Sequence, residues 1–289
     1  MNALGAALES ALAEKFSSTV ASASRLSGGD INDAFAVTLA DGRRVFVKAN
    51  ASAPAGLFSA EARGLAWLAQ ARAVRVPEVL AVSDSAPSFL ALELMVPGPR
   101  RRGFDEELGR ALASLHRAAP GGFGLDHDNF IGSLPQSNRT HARWPEFYRA
   151  ERLEPQVARA SAEGRGSATM RRRFERLFMR LDALVGPEEP PARLHGDLWG
   201  GNLHVTEDGA PCLIDPAAYG GHREMDLAMM RLFGGFSEQA FAAYAEAYPL
   251  SAGHAERVEL YQLYPLMVHV NLFGGGYLAS VERVLERYT

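Results

Sequence analysis

The chain has 289 residues, 47% of them hydrophobic and 22% charged, which is ordinary globular composition and length enough for one large domain or two lobes. Its 30 Lys and Arg against 34 Asp and Glu leave a formal charge of -4, so no basic surface for nucleic acid or an anionic membrane is expected. A single cysteine, Cys212, excludes an intramolecular disulfide framework and fits a reducing compartment.

Residues 1–16 carry Glu9, Glu14 and Lys15 at helical spacing and lack a basic start before an apolar block, so they read as an amphipathic helix and not as a signal peptide. No apolar run is long enough to span a bilayer, and a cytoplasmic protein is the expectation. Short apolar or alternating segments then predict strands at 34–39, 43–49, 76–82 and 89–95, with Asp41-Gly42 turning the first pair into a hairpin. One helix interrupts them at 57–71, with Leu57, Phe58, Glu61, Leu65 and Leu68 near one face. After Val96-Pro97-Gly98-Pro99 helical periodicity takes over, starting with the stripe Phe104, Leu108, Ala111 and Leu115. Further helices are expected near 146–160, 169–185, 225–233, 238–248, 254–273 and 277–287, with Pro265 kinking or dividing the second-last. The pattern predicts an α+β chain. A small antiparallel-sheet lobe with one main helix (1–95) leads through a hinge (96–99) to a larger, mostly helical lobe (100–289).

The segment His195-Gly196-Asp197-Leu198-Trp199-Gly200-Gly201-Asn202 matches the H-x-D-x-x-x-x-N catalytic loop of kinases. The spacing lets Asp197 accept a hydroxyl proton while Asn202, on the same tight loop, reaches a metal ion bound to nucleotide phosphates. Residues 203–206, a Glu207-Asp208-Gly209 turn and residues 211–214 form a predicted hairpin. It folds Asp215 back beside Asn202, where the two can share Mg2+ as oxygen ligands. An Asp-Gly turn alone is usually only a turn, and a lone His-Gly-Asp is common in loops. It is the ordered combination that carries the chemistry.

Upstream, Lys48 ends the apolar strand Val45-Phe46-Val47 and can reach the α and β phosphates of ATP, with Glu61 on the following helix orienting it through an ion pair. Either residue alone would be read as a solvated surface charge. Gly28 and Gly29 can present backbone N–H groups to phosphate, although Gly-Gly is equally a plain turn. Position alone assigns the backbone of Glu93, Leu94 and Met95 to the adenine edge. Asp226, at a helix start shortly after Asp215, is placed to accept backbone N–H groups of the loop around His195, or to serve only as a helix-start acid.

Together these residues resemble the fructosamine kinase or ketosamine-3-kinase family, whose protein-kinase-like fold is related to the aminoglycoside and choline kinases. The resemblance also rests on Asp215-Pro216-Ala217-Ala218-Tyr219-Gly220, Arg223-Glu224-Met225-Asp226, Asp128-Asn129-Phe130-Ile131-Gly132 and Asn271-Leu272-Phe273-Gly274. It implies ATP-dependent phosphorylation of the 3-hydroxyl of a ketosamine, the adduct of a sugar and an amine. Two features point the same way independently. The short stretch from Asp215 to Asp226 leaves no room for a long activation segment, which disfavours peptide docking in the manner of protein kinases. Trp199, two residues after Asp197, offers an aromatic face to a sugar-like acceptor or packs as a structural Trp. Asp30 stands where some relatives carry a redox-sensitive cysteine, and His269 reads as a packed core histidine. Aminoglycosides, choline and amino alcohols share the same phosphate machinery and remain alternatives. So does a catalytically silent nucleotide-binding module, which the retention of Lys48, Asp197, Asn202 and Asp215 argues against.

Overall fold

A computed structural model describes residues 4–26 and 32–289. Helix α1 (Ala6–Phe16) is followed by strands β1 (Val20–Leu26), β2 (Asp33–Leu39) and β3 (Arg44–Ala49), helix α2 (Leu57–Ala69), and strands β4 (Val79–Ser83) and β5 (Phe89–Glu93). The five strands form one antiparallel sheet in the order β1-β2-β3-β5-β4. Alternation decides its faces. Val37, Leu39, Val45, Val47, Phe89 and Ala91 pack against Leu8, Leu12 and Phe16 of α1, while Leu90 and Leu92 meet Phe58, Ala62 and Leu65 of α2. The unbroken apolar run Phe89–Leu92 is thus explained by burial on both faces of an interior strand. Gly42, in the left-handed region at φ 88°, closes the β2–β3 hairpin by donating to the Leu39 carbonyl at 2.9 Å.

The expected strand at 89–95 ends at Glu93, and two larger differences from the sequence expectation have physical causes. The fourth strand begins at Val79 and not at 76, because Pro77 has no N–H to give a ladder. Strand β1 escapes the pattern because its residues VASASRL are mostly exposed and carry no alternation. After β5, Gly98 donates to the Val205 carbonyl at 3.2 Å, and a Cβ there would lie 2.5 Å from the Thr206 carbonyl oxygen. Only glycine allows this backbone contact.

The helical part comprises α3 (Phe104–Arg117), the hairpin β6 (Asn129–Ile131) and β7 (Leu134–Gln136), α4 (Trp144–Phe147), α5 (Glu154–Ala162), α6 (Ala168–Leu184), β8 (Ala192–Leu194), the hairpin β9 (Leu203–Val205) and β10 (Pro211–Leu213), β11 (Tyr219–Gly221), and helices α7 (Glu224–Phe233), α8 (Glu238–Ala247), α9 (His254–Phe273) and α10 (Leu278–Tyr288). Tyr148–Leu153, between α4 and α5, is a π-helical turn and not the continuous α-helix expected at 146–160. Pro155 removes the N–H that would bond to the Glu151 carbonyl, and that carbonyl instead accepts from Arg152 at 3.0 Å. Pro265 does not divide α9. Leu260, Tyr261, Leu263, Tyr264, Leu266 and Met267 are all buried around that turn. At about 1.5–3 kcal/mol per buried apolar side chain, their packing outweighs the roughly 3 kcal/mol that an interior proline costs.

No helix among the described residues is long and apolar enough to cross a membrane. Cys212 is buried in β10, and burial pushes its thiol up to about 12, which leaves it a small hydrophobe.

Ahead of α7, Arg223 donates to both carboxylate oxygens of Glu189 at 2.6 and 2.9 Å, and Ser251 donates at 2.5 Å. Burial pushes the Glu189 carboxyl up, but these hydrogen bonds and the Arg223 charge win and hold it at about 2. A carboxyl depressed below its unfolded value stabilises the fold above about pH 4.5, and that contribution is lost as pH falls toward 2. Glu189→Gln therefore destabilises the protein at pH 7 by up to about 3 kcal/mol. In urea titrations the gap to wild type should shrink at pH 3. A gap independent of pH would show that the ion pair is not its source.

Candidate active site

Strand register places Lys48 on β3 opposite Ala34 and Leu90, with its side chain under α2. It is 6% exposed, and its Nζ donates to Glu61 Oε1 at 2.8 Å and Asp215 Oδ1 at 2.5 Å. Burial alone would discharge it, but the two carboxylates outweigh that and raise its pKa, so the ammonium persists. This contact joins the sheet to the hairpin that ends in Asp215.

Pairing of β8 with β11 delivers the loop that begins at His195. The fully buried His195 ring donates from Nε2 to the Ile214 carbonyl at 2.9 Å and accepts the Asp197 N–H on Nδ1 at 3.3 Å, which assigns a neutral ring, in keeping with a pKa lowered by burial. Gly196 adopts φ 82°, and a Cβ there would lie 2.1 Å from the Ala217 carbonyl oxygen. Asp226, in the first turn of α7, accepts the His195 N–H at 2.8 Å and the Gly196 N–H at 2.9 Å, while His116 Nε2 lies 3.2 Å from it. Burial raises the Asp226 carboxyl, but His116 and these N–H groups hold it below its usual value.

Asn202 Nδ2 donates to the Asp197 carbonyl (2.8 Å), to Asp197 Oδ2 (3.0 Å) and to the Asp215 carbonyl (3.4 Å). The β9–β10 hairpin brings Asp215 here, with Ile214 N donating to the Asn202 carbonyl at 3.1 Å. Asp215 itself sits in the left-handed region at φ 57°, unusual outside glycine. Burial, with the charges of Asp215 and Asp226, raises the Asp197 carboxyl to about 7 against the pull of the Asn202 donation. Because the Asn202 nitrogen is committed, Oδ1 is the atom it has left for a cation, and Asp215 likewise has Oδ2 beside the oxygen that Lys48 holds. Two hard oxygen donors, one at each end of a single hairpin, could hold a divalent cation of the Mg2+ type.

These residues open onto a cavity of about 1200 Å³ between the sheet and the helices. Ala34, Phe46, Leu92, Leu94, Met95 and Ile214 line one side of it, and Glu93 lines it too. The Glu93 N–H donates to the Glu78 carbonyl at 2.9 Å and its carboxylate accepts from Arg75 at 2.5 Å, so the sheet takes its backbone donor, while Leu94 and Met95 lie beyond the last strand. Gly28 and Gly29 lie outside the described residues.

The opposite wall is aromatic. Trp199 is 41% exposed and its ring lies over Gly201, where a Cβ would come within 2.3 Å of it; it is a wall of the cleft and not a buried structural residue. His269 both packs and lines the cavity. It stacks on Phe233 at 4.5 Å, flanked by Phe273 and Tyr277 at 5.4 and 4.9 Å, and donates from Nδ1 to the Pro265 carbonyl at 2.8 Å. Sequence reasoning missed Phe233 and Tyr277, and singled out Phe273 within a motif without a role. The signal they share is the glycines that follow Phe233 and separate Phe273 from Tyr277, marking helix ends that bend around a cleft.

The model of the fructosamine kinase family matches residues 2–289. A protein named as a probable ketoamine kinase, from Enterococcus faecium, is 35% identical over 263 residues, covering 90% of this chain and 93% of that one. The chloroplastic protein-ribulosamine 3-kinase of Arabidopsis thaliana is 36% identical over 252 residues, 86% of this chain and 77% of that one. A crystal structure provisionally assigned as a fructosamine-3-kinase, from Thermobifida fusca, superimposes with a TM-score of 0.89 at 39% identity, covering 97% of this chain and 98% of that one. The chain is thus a protein-kinase-like, ATP-dependent small-molecule kinase and belongs to the fructosamine kinase family.

Proposed function

We propose that this chain moves the γ-phosphoryl group of ATP onto the 3-hydroxyl of a ketosamine, such as a fructose or ribulose adduct of an amine. The observation that carries the reading is one cleft with the Lys48–Asp215–Asn202–Asp197 cluster at its base and an aromatic wall beside it. In this reading residues 1–95 form the nucleotide-binding lobe, 96–99 the hinge, and 100–289 the catalytic and acceptor lobe. The backbone of Glu93, Leu94 and Met95 meets the adenine edge, and Lys48, oriented by Glu61, binds the α and β phosphates. Asn202 and Asp215 would hold a Mg2+ ion through their free side-chain oxygens, and the ion would supply charge neutralisation for the phosphates. Asp197 orients the acceptor hydroxyl and takes its proton as the oxygen attacks phosphorus and ADP leaves. His195 and Asp226 keep the loop in place, and Trp199 stacks on the CH face of the sugar.

The acceptor wall separates the alternatives. Among the described residues the carboxylates lining the cavity are Glu61, Glu93, Asp197, Asp215 and Asp226, and none of them belongs to the aromatic wall, which therefore offers a polycationic aminoglycoside no ion-pair partner of its own. A quaternary ammonium suits aromatic rings, which makes choline the competitor to measure.

Phosphorylation at O3 has a chemical sequel. The ketosamine enolises between C1 and C2, the 3-phosphate becomes allylic to the enaminol, elimination expels inorganic phosphate, and hydrolysis frees the amine. In an ADP-release assay, ribulose- or fructose-lysine should turn over faster than choline or any aminoglycoside. Phosphorus NMR should show a sugar phosphate first and inorganic phosphate later, with free amine rising in step. A stable ester, or preferred turnover of choline, would remove the ketosamine while leaving the kinase standing.

A further inference from the structure

The β6–β7 hairpin carries a buried polar network that the phosphoryl-transfer reading does not use. Asn129 and Gln136 face each other across it, 4% and 2% exposed. Asn129 Nδ2 donates to the Ala218 carbonyl at 2.8 Å; Gln136 Nε2 donates to the Ala217 carbonyl at 3.1 Å and to Asn129 Oδ1 at 2.7 Å. Asn138 Nδ2 adds a bond to Asn129 Oδ1 at 2.9 Å, and its own oxygen accepts from Arg152 at 2.7 Å. Arg152 is fully buried, with its guanidinium 3.8 Å from the Tyr219 ring centre and 4.5 Å from that of Phe147. From α9, Tyr264 donates to Gln136 Oε1 at 2.5 Å.

The two carbonyls these amides hold lie two and three residues after Asp215. Ala217 N in turn donates to the His195 carbonyl at 3.0 Å, so the same short stretch is tied to the loop of Asp197. On its other side lies Gly64 of α2, the helix of Glu61, close enough that a Cβ there would be 3.6 Å from both Pro216 and Ala218. A non-glycine residue at φ 57° persists only where its surroundings over-determine it, and no long activation segment is present to do so. A buried amide network adds little net stability over an apolar core, but with the Asn129, Gln136 and Asn138 amides paired it fixes the position of what it binds, although the buried Arg152 Nε beside them has no hydrogen-bond partner among the described residues.

We propose that Asn129 and Gln136 are positioning residues for Asp215: by clamping the Ala217 and Ala218 carbonyls they aim its carboxylate at the metal and doing so replaces the anchoring that an activation segment would give. This rests on the reading of Asp215 as a metal ligand. The test is the Mg2+ concentration that half-saturates binding of a fluorescent ADP analogue to the full chain without acceptor, which reads geometry at Asp215 independently of turnover. Loss of a residue that orients a metal ligand typically weakens metal binding about 10–100-fold. Gln136→Met and Asn129→Ser should each raise the half-saturating Mg2+ about tenfold, with metal-free ADP affinity unchanged; Tyr264→Phe, which spares both clamping bonds, should not. Asp215→Asn is run alongside. A shift in Asp215→Asn with none in Gln136→Met or Asn129→Ser overturns the positioning role alone, whereas no shift in Asp215→Asn overturns the metal-ligand reading and the inference with it. If Gln136→Met does not fold by circular dichroism, the same comparison on Asn129→Ser decides.

Discussion

Asp197→Asn lowers turnover at least about 10²-fold while nucleotide binding stays near wild type, because what is lost is proton acceptance and hydroxyl positioning. The same substitution should stabilise the metal-free protein at pH 8. Burial, with the charges of Asp215 and Asp226, raises the folded carboxyl to about 7, well above its unfolded value near 3.8, against the pull of Asn202. Between those values the folded state holds more protons than the unfolded state, so stability falls as pH rises through the window, and the whole penalty is present above about pH 7. A neutral amide at the same place removes it, which is worth about 1–4 kcal/mol given a shift of this size and partial opening to the cleft. Denaturant titrations in chelator should show the variant more stable at pH 8 and the difference gone near pH 4. Turnover close to wild type would take Asp197 out of the role of base. A stability gain that ignores pH would mean its carboxyl is not strained by burial.

The part of this site that sequence discloses is the part built from contiguous chain. His195, Asp197, Asn202 and Asp215 fall on one loop and one hairpin, where spacing fixes geometry, and Asn202 does bond to both aspartates. Lys48 and Glu61 are legible for another reason: an apolar strand ending in a lysine, followed by a helix with an acid on its inner face, is an odd enough pattern to stand out. The acceptor wall has no such signature. Phe233 ends α7, His269 and Phe273 belong to the last turns of α9, and Tyr277 precedes α10; taken singly, each reads as a core aromatic, and only packing shows that they meet at the cleft. Likewise the three-residue strands of β6–β7 are too short for a period to declare itself, although Asp128-Asn129-Phe130 stood out as a motif. At Glu93 position along the chain places the residue at the cavity but does not disclose that its N–H is spent on the neighbouring segment.

Lys48→Met should abolish most activity and also expose how the two carboxylates beside it are kept. Among the described residues its Nζ is the one donor reaching both Glu61 and Asp215 at hydrogen-bond distance, and the pair with Glu61 is nearly closed to solvent, with side-chain exposures of 8% and 13%. Burial, and then the Asp215 charge, already push the Glu61 carboxyl up against the pull of Lys48, so without the ammonium two acids face each other in a dry pocket. Removing one partner of a buried pair commonly costs about 3–5 kcal/mol. Asp215 opens to solvent and Glu61 can take up a proton, so the lower end, about 3 kcal/mol, is expected here. Turnover should drop at least about 10²-fold, as for loss of a preorganised donor to a transferring phosphoryl group. The two losses separate in Lys48→Met/Glu61→Gln, where the second change removes the uncompensated charge without restoring a cation for the phosphates. That double variant should regain most of the stability, read by urea titration, and none of the ADP release. Equal stability of the single and double variants would show that charge burial is not the cause of the loss, and recovery of activity in the double variant would show that Lys48 serves the fold and not the nucleotide.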